Sequence, residues 1–125
     1  MVCMSISNYA ELKILEHTTG KTAWTMPTNV YVKLHTADAG EAGTTNAATE
    51  ATRKEAAWAT AASGSIATSA TLEWTNVAAT ETFTHWSMWD ASTAGNCLWT
   101  GALSSSAAVT AGDTFQITAL TLSLD

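Results

Sequence analysis

The side chains that could do chemistry in this sequence are few, and their spacing favours no reaction. The three histidines are His17, His35 and His85, and none has a second histidine or an acid at metal-ligand spacing. Ser87 lies in an extended stretch without a G-x-S-x-G motif. Glu73 and Glu81 could be set against each other as a glycosidase pair, but we interpret them as solvated carboxylates at strand ends. We therefore predict a protein that is not an enzyme.

Cofactor sites are equally unsupported. Cys3 and Cys97 are isolated thiols without a C-x-x-C motif, so they predict no zinc site, and whether they pair stays open. The run Gly20-Lys21-Thr22 resembles the end of a phosphate-binding loop, but the earlier glycine that the motif requires is replaced by a leucine. We predict no metal, nucleotide or other cofactor.

Charge excludes two classes of partner. The net charge is −6, all five basic residues lie in the first 54 positions, and none follows from residue 55 onward. Nucleic-acid binding needs a basic footprint that neutralises phosphates, and an anionic membrane surface needs the same. No stretch is long and apolar enough to span a bilayer, and residues 1–10 lack the pattern of a secretion signal. We expect no nucleic-acid partner and no membrane.

The largest apolar block lies in residues 81–103, which contain Trp86, Trp89 and Trp99. This stretch predicts two strands joined by a turn at residues 90–96, where turn-forming residues cluster. Large apolar side chains fall on both faces of the first strand, a pattern typical of a strand covered on both sides. The sequence leaves open whether the second face meets the protein's own core or another subunit.

A short helix is predicted for residues 8–18, with Asn8 as the N-cap and Gly20 as the stop signal. The apolar positions of this helix are Tyr9, Leu12 and Leu15. They recur at helical spacing but form a narrow stripe, so we expect the helix to pack on a sheet and not to stand alone.

The rest of the chain predicts short strands. Beside the two strands of residues 81–103, they cover residues 30–36, 56–61, 65–75, 107–109, 114–118 and 120–124, with a bend at 104–106. Residues 38–52 are rich in small polar side chains and predict a flexible surface loop. One helix followed by seven or eight strands predicts a mainly β chain, an antiparallel, jelly-roll-like β-sandwich with one short N-terminal α-helix, in a single domain spanning 1–125.

The tryptophans are the main candidates for core or interface contacts. The candidate residues are Trp24, Trp74, Trp86, Trp89 and Trp99, together with Arg53 at the end of the loop. A Trp side chain buries about 150–250 Å², so its place decides much of the packing energy. Tryptophans could also line a carbohydrate platform, but their spread over several elements favours core and interface.

Several sequence segments resemble a family of small virion proteins of tailed bacteriophages that are often labelled tail-fibre proteins, some of which serve as head decoration. The segments are the helix at 5–15 with Gly20-Lys21, WTMP at 24–27, VYVKLHT at 30–36, THWSMWD at 84–90, GNCLWTGAL at 95–103, VTAGDTF at 109–115 and LTLSLD at 120–125. The resemblance implies a virion component and no catalytic residues.

We therefore predict a bacteriophage virion structural protein. The chain is too short for a fibre shaft and has no heptads or collagen-like repeat, so we favour a capsid decoration (cement) protein. A tail or tail-fibre-associated module is the alternative, and a glycan- or receptor-binding tip is a third reading.

Only 13% of the residues are charged, which suits a surface hidden in an assembly. The expected partners are two further copies in a homotrimer and the major capsid protein or tail proteins of the same virion. We expect contacts to other proteins through the predicted helix and the loop 38–52, which hold most of the charge, on a particle assembled in the host cytoplasm.

Overall fold

The computed structural model describes residues 4–124, which form one helix and nine strands. In chain order these are β1 (Met4–Ile6), α1 (Asn8–Thr18), β2 (Val30–His35), β3 (Lys54–Ala56), β4 (Ser65–Ala67), β5 (Leu72–Trp74), β6 (Glu81–Trp89), β7 (Cys97–Val109), β8 (Phe115–Ile117) and β9 (Thr121–Ser123). The predicted class, mainly antiparallel β with one short N-terminal helix, is confirmed.

The strands form one large sheet and two small ones. The large sheet has five antiparallel strands in the order β1-β7-β6-β2-β3, with the hairpin β6–β7 near its middle. The small sheets are the antiparallel pairs β4–β9 and β5–β8. A jelly roll divides eight strands between two sheets, whereas here a continuous sheet of five is set against two separate pairs.

The hydrophobic core lies between the five-stranded sheet and the two small sheets. Trp86 and Phe83 of the large sheet are buried in one cluster with Trp74 of the β5–β8 pair and Leu122 of the β4–β9 pair. Aromatic rings join the layers: the Phe83 and Phe115 centroids are 5.1 Å apart. Such tilted contacts add to the free energy of burial. This face of the large sheet is therefore closed by apolar side chains.

The helix starts where it was predicted, but its N-cap and packing differ. Ser7, not Asn8, is the N-cap, and its hydroxyl oxygen accepts a hydrogen bond from the Ala10 N–H at 3.1 Å. The same hydroxyl donates to the Cys97 carbonyl, which attaches the helix start to β7. The helix packs on a sheet as predicted, because α1 contacts β7, but it does so with the small, buried Ala10, while Leu12 and Leu15 of the predicted stripe are exposed.

Several predicted strand bounds are also corrected. Residues 56–61 are not a strand: pairing ends with β3 at Ala56, and only isolated bridges follow. Residues 65–75 divide into β4 and β5, and the short β1 was missed. β7 runs unbroken to Val109, but residues 103–106 have no partner on β6 because the register shifts there. The predicted bend at 104–106 is thus a bulge within a long strand.

Candidate interaction surfaces

The second face of the five-stranded sheet is covered by the chain itself. Residues 46–48 pair with the end of β2, where the Thr36 N–H donates to the Asn46 carbonyl at 3.0 Å and the Ala48 N–H donates to the Leu34 carbonyl at 3.1 Å. From there the segment 36–50 lies over the face, with Gly43 close to Cys97 at the start of β7. Ala39 and Ala48 of this segment are buried. The question that the sequence left open is therefore answered within one chain, since the second face meets the protein's own loop.

A buried hydrogen-bonded chain lies under this loop. His35 Nδ1 is 2.8 Å from the Thr45 carbonyl oxygen, which can only accept, so Nδ1 carries the proton. Nε2 then accepts from the Ser87 hydroxyl at 2.7 Å, and the Ser87 oxygen accepts from the Trp89 indole N–H at 2.7 Å. The pKa of His35 is lowered, chiefly because burial disfavours the charged ring. The chain joins β2, β6 and the loop through a neutral imidazole.

This arrangement has the atoms of a nucleophile and its base, which the sequence did not predict. Ser87 and His35 are 52 residues apart and meet because β2 pairs with β6. Both side chains have zero exposed fraction, so no substrate reaches the Ser87 hydroxyl. The hydrogen bond from Trp89 holds that oxygen as an acceptor. We interpret the Ser87–His35 pair as a satisfied buried network that fixes the loop.

Gly43 shows how closely the loop approaches the sheet. It is buried with φ +68°, and a Cβ at this position would lie 2.5 Å from Cys97 Sγ and 3.0 Å from Trp89 Cζ2. Burial raises the pKa of the Cys97 thiol to about 11, so the group stays protonated and unreactive. The pairing of Cys97 with Cys3 lies outside the described residues.

Arg53 attaches the end of the loop to the central hairpin. Its guanidinium carbon lies 4.1 Å from the centroid of a Trp89 ring, within cation–π range. Its Nη1 donates to the carbonyls of Ala91 and Ala94 at 2.8 and 2.7 Å, both in the β6–β7 turn. The turn is also closed by Asp90, which accepts from the Asn96 backbone N–H at 2.7 Å. Arg53, a candidate from the sequence, thus makes contacts within its own chain.

The acids considered for catalysis have structural partners. The Glu81 carboxylate accepts the N–H groups of Thr49 and Glu50, each at 3.0 Å. Glu50 is itself buried and accepts from the Ala78 N–H at 2.9 Å. Glu73 accepts from the Gln116 side chain on the neighbouring strand. Glu50 and Glu81 therefore fix the far end of the loop. We expected the charged residues of the loop to contact other proteins. Glu50 does not fit this expectation, because its carboxylate accepts hydrogen bonds within the chain.

The candidate tryptophans divide into two groups. Trp74, Trp86 and Trp89 are buried, and the Trp74 indole N–H donates to the Thr52 carbonyl at 2.8 Å. Trp99 and Trp24 are partly buried, and Trp24 meets Tyr9 edge to face, with centroids 6.4 Å apart. A flat, exposed row of tryptophans of the kind that binds sugars is not formed by these five side chains.

Two surface features of residues 4–124 carry large apolar side chains that are mostly exposed. One is the outer side of α1, where Leu12 and Leu15 are 63% and 60% exposed. The other is a groove of about 310 Å³ between the segment that precedes β2 and the β4–β9 pair. Its lining includes Met26, which is 83% exposed, and Trp58, which is half-buried. Apolar surface of this kind marks contact sites in soluble proteins.

Within residues 4–124, no three His, Cys, Asp or Glu side chains are grouped so that they could hold a metal ion. Over the same range no helix is long and apolar enough to cross a membrane.

Comparison with known proteins gives one result of wide coverage. A family described as podophage GP4 fiber I protein gp80 matches residues 5–125. No curated protein matches the chain. The family match covers α1 and eight complete strands, so it concerns the whole fold and not a single motif. It confirms the resemblance to tailed-phage virion proteins that the sequence segments indicated. The chain belongs to the podophage GP4 fiber I protein gp80 family.

Proposed function

We propose that the protein is a non-enzymatic structural module associated with the tail fibres of a podophage virion. The observation that carries this proposal is the family match over residues 5–125, whose description names a fibre protein. It favours the alternative from the sequence, a tail-fibre-associated module, over capsid decoration, which was our first reading. A short antiparallel β chain without a shaft repeat suits an attachment or joining piece within a fibre.

The enclosed second face supports a structural role over a catalytic one. Among residues 4–124 two hydroxyl–imidazole pairs are within hydrogen-bonding distance. Ser87 and His35 are fully enclosed, whereas Thr84 and His85 are neighbours in sequence and half-buried. Trp86 and Trp89, two of the three tryptophans of the hairpin, are buried and cannot form a sugar-binding surface. What remains for contact is outer surface, which suits a component that is held by neighbours in the particle.

The partners in this proposal are further copies of the chain, as a homotrimer, and tail proteins of the same virion. Leu12, Leu15 and Met26 are mostly exposed. Covering these apolar side chains in an assembly makes the protein more soluble. Strand pairing is a less favourable route to assembly. The edge strands of the large sheet, β1 and β3, have three residues each, and short edges discourage pairing with other chains.

Copy number and position in the particle test this proposal. Quantitative mass spectrometry of purified virions should give a small number of copies relative to the major capsid protein, and immunogold labelling should mark the tail. Labelling over the whole head with copy numbers comparable to the major capsid protein would instead establish decoration. Absence of the protein from purified particles would contradict both readings.

A further inference from the structure

The outer side of α1 is an apolar ridge. Leu12 and Leu15 are three residues apart, so they project from neighbouring positions on one side of the helix. Ala10, at zero exposed fraction, marks the opposite side, which packs against the protein. The segment after the helix does not cover the ridge, because Trp24 packs against Tyr9 and donates its backbone N–H to His17 Nδ1 at 3.1 Å. We call Leu12 and Leu15 the helix ridge.

The groove is the concave counterpart of the ridge. Its apolar lining is formed by Met26, Pro27, Trp58, Ile66, Met88 and Leu122, and none of its lining residues is charged. Among residues 4–124 four large apolar side chains are mostly exposed, and three of them belong to the helix ridge or to this groove. The fourth, Leu124, lies outside both. Three of the four mostly exposed large apolar side chains of residues 4–124 therefore belong to one convex and one concave site.

The charges beside the two sites are opposite in sign. Glu11 and Glu16 flank the helix ridge along α1. The one lysine of the helix, Lys13, has its ammonium 5.7 Å from the Tyr9 ring centroid and so turns toward that ring. Beside the groove, Lys54 lies two residues before Ala56 in β3, so both side chains are on the same side of that strand. An acid-flanked ridge and a lysine-flanked groove are complementary.

We propose that the helix ridge of one copy docks into the groove of the next copy, and that this head-to-tail contact builds the homotrimer. The occupant is a second copy because an exposed apolar ridge with acidic neighbours and an apolar groove with a lysine beside it occur on the same chain. The two sites are different surfaces, so the contact is heterologous, and it closes into a ring when the rotation between copies allows. An amphipathic helix in an apolar groove is a recurrent mode of protein recognition. This inference rests on the proposed function only for the number of copies, which is three. The contact itself is argued from the helix ridge and the groove.

Two variants test the contact from its two sides. The ridge variant carries Leu12→Ser and Leu15→Ser, and the groove variant carries Met26→Asp. All three side chains are exposed, so both variants should fold, which circular dichroism checks. By light scattering the wild type should have three times the mass of one chain, and each variant alone should be monomeric. We expect the dissociation constant to rise at least about tenfold, which corresponds to about 1.4 kcal/mol.

Mixing the two variants distinguishes a head-to-tail contact from a two-fold symmetric contact. The ridge variant keeps its groove and the groove variant keeps its ridge, so an equimolar mixture should give a heterodimer and nothing larger. The matched control, Leu124→Ser, removes an equally exposed leucine outside both sites and should leave the trimer intact.

A wild type that stays monomeric at high concentration would overturn the proposal, as would variants that keep the wild-type mass or a mixture that forms no heterodimer. None of these results would decide where the protein lies in the virion, because copy number and immunogold labelling test that proposal separately.

Discussion

The two faces of the five-stranded sheet are closed in different ways. The face toward the small sheets is closed by apolar side chains, with Trp86 and Phe83 buried among residues of β5, β8 and β9. The other face is closed by a loop without regular structure, which is held by the chain of hydrogen bonds through His35, Ser87 and Trp89. The comparison teaches that a sheet face can be enclosed by a hydrogen-bonded loop as well as by apolar packing. Apolar packing is non-directional, whereas each group on the loop-covered face needs its partner.

Truncation on the apolar face should have the largest effect on stability. Trp86→Ala removes a side chain that is 2% exposed, and we expect the free energy of unfolding to fall by about 3–5 kcal/mol. Urea denaturation followed by circular dichroism measures the change. A loss below about 1 kcal/mol would mean that this face is loosely packed and that the contrast between the two faces is wrong.

The close approach of the loop predicts a large effect of a single methyl group. Gly43→Ala combines the strain of a positive φ with a clash against Cys97 Sγ, and should cost about 2–4 kcal/mol. Gly20→Ala is the matched control, since Gly20 has φ +73° and nothing within 4 Å of the added Cβ. It should cost about 1–2 kcal/mol. Equal losses for the two variants would show that the loop stands away from the sheet.

Removing the middle of the hydrogen-bonded chain should have a moderate effect. Ser87→Ala leaves His35 Nε2 and the Trp89 indole N–H without partners, and we expect a loss of about 1–3 kcal/mol in chemical denaturation. The exposed Ser105, which lies in the bulge of β7, provides the control: Ser105→Ala should change stability by less than about 0.5 kcal/mol. If both variants were equally stable, the buried network would not hold the loop.

The smallest expected effect is a pH dependence carried by His35. In the unfolded chain this side chain takes up a proton as pH falls through about 6.5. In the folded protein burial lowers its pKa, and the nearby Lys33 and His85 act in the same direction. The unfolded state then binds more protons, so the free energy of unfolding should fall as pH falls from 7.5 to 5.5.

The slope of stability against pH measures this effect. It should be smaller in a His35→Gln variant than in the wild type. A wild-type slope that the His35 substitution does not alter would contradict a neutral, enclosed imidazole.

Local signals in the sequence predicted the helix and the central hairpin well. The helix spans residues 8–18 as predicted because the capping and glycine signals are local, although Ser7 and Asn8 can both cap and only the bond to Ala10 N decides between them. Strand bounds in residues 56–75 failed because alanine and threonine fill positions of both faces there, so alternation gives little information.

The sequence predicted that both faces of β6 are covered, but it did not identify what covers the second face. His35 and Ser87 lie on different predicted strands, and their contact depends on the register between β2 and β6, which is set by pairing across 52 residues. The cover itself comes from a loop whose small polar residues are typical of flexible surface segments. Its burial depends on long-range partners such as Glu81, which no local pattern identifies. The exposure of the helix ridge was missed for the same reason. The sequence pattern shows that Leu12 and Leu15 share one side of the helix, but not whether another element packs against that side.

The central claim has two parts: the loop covers the sheet within one chain, and the helix ridge and the groove contact other copies. Hydrogen exchange of the assembled protein tests both parts most directly. Exchange should be compared between the wild type and the variant with Leu12→Ser and Leu15→Ser. We expect slow exchange at Gly43, Thr45, Ala48, Thr49 and Glu50 of both proteins, because the amides of these residues are hydrogen-bonded within the chain. Added protection in the wild type should appear at α1 and around Met26. Protection of residues 43–50 that exists only in the assembled wild type would contradict the account.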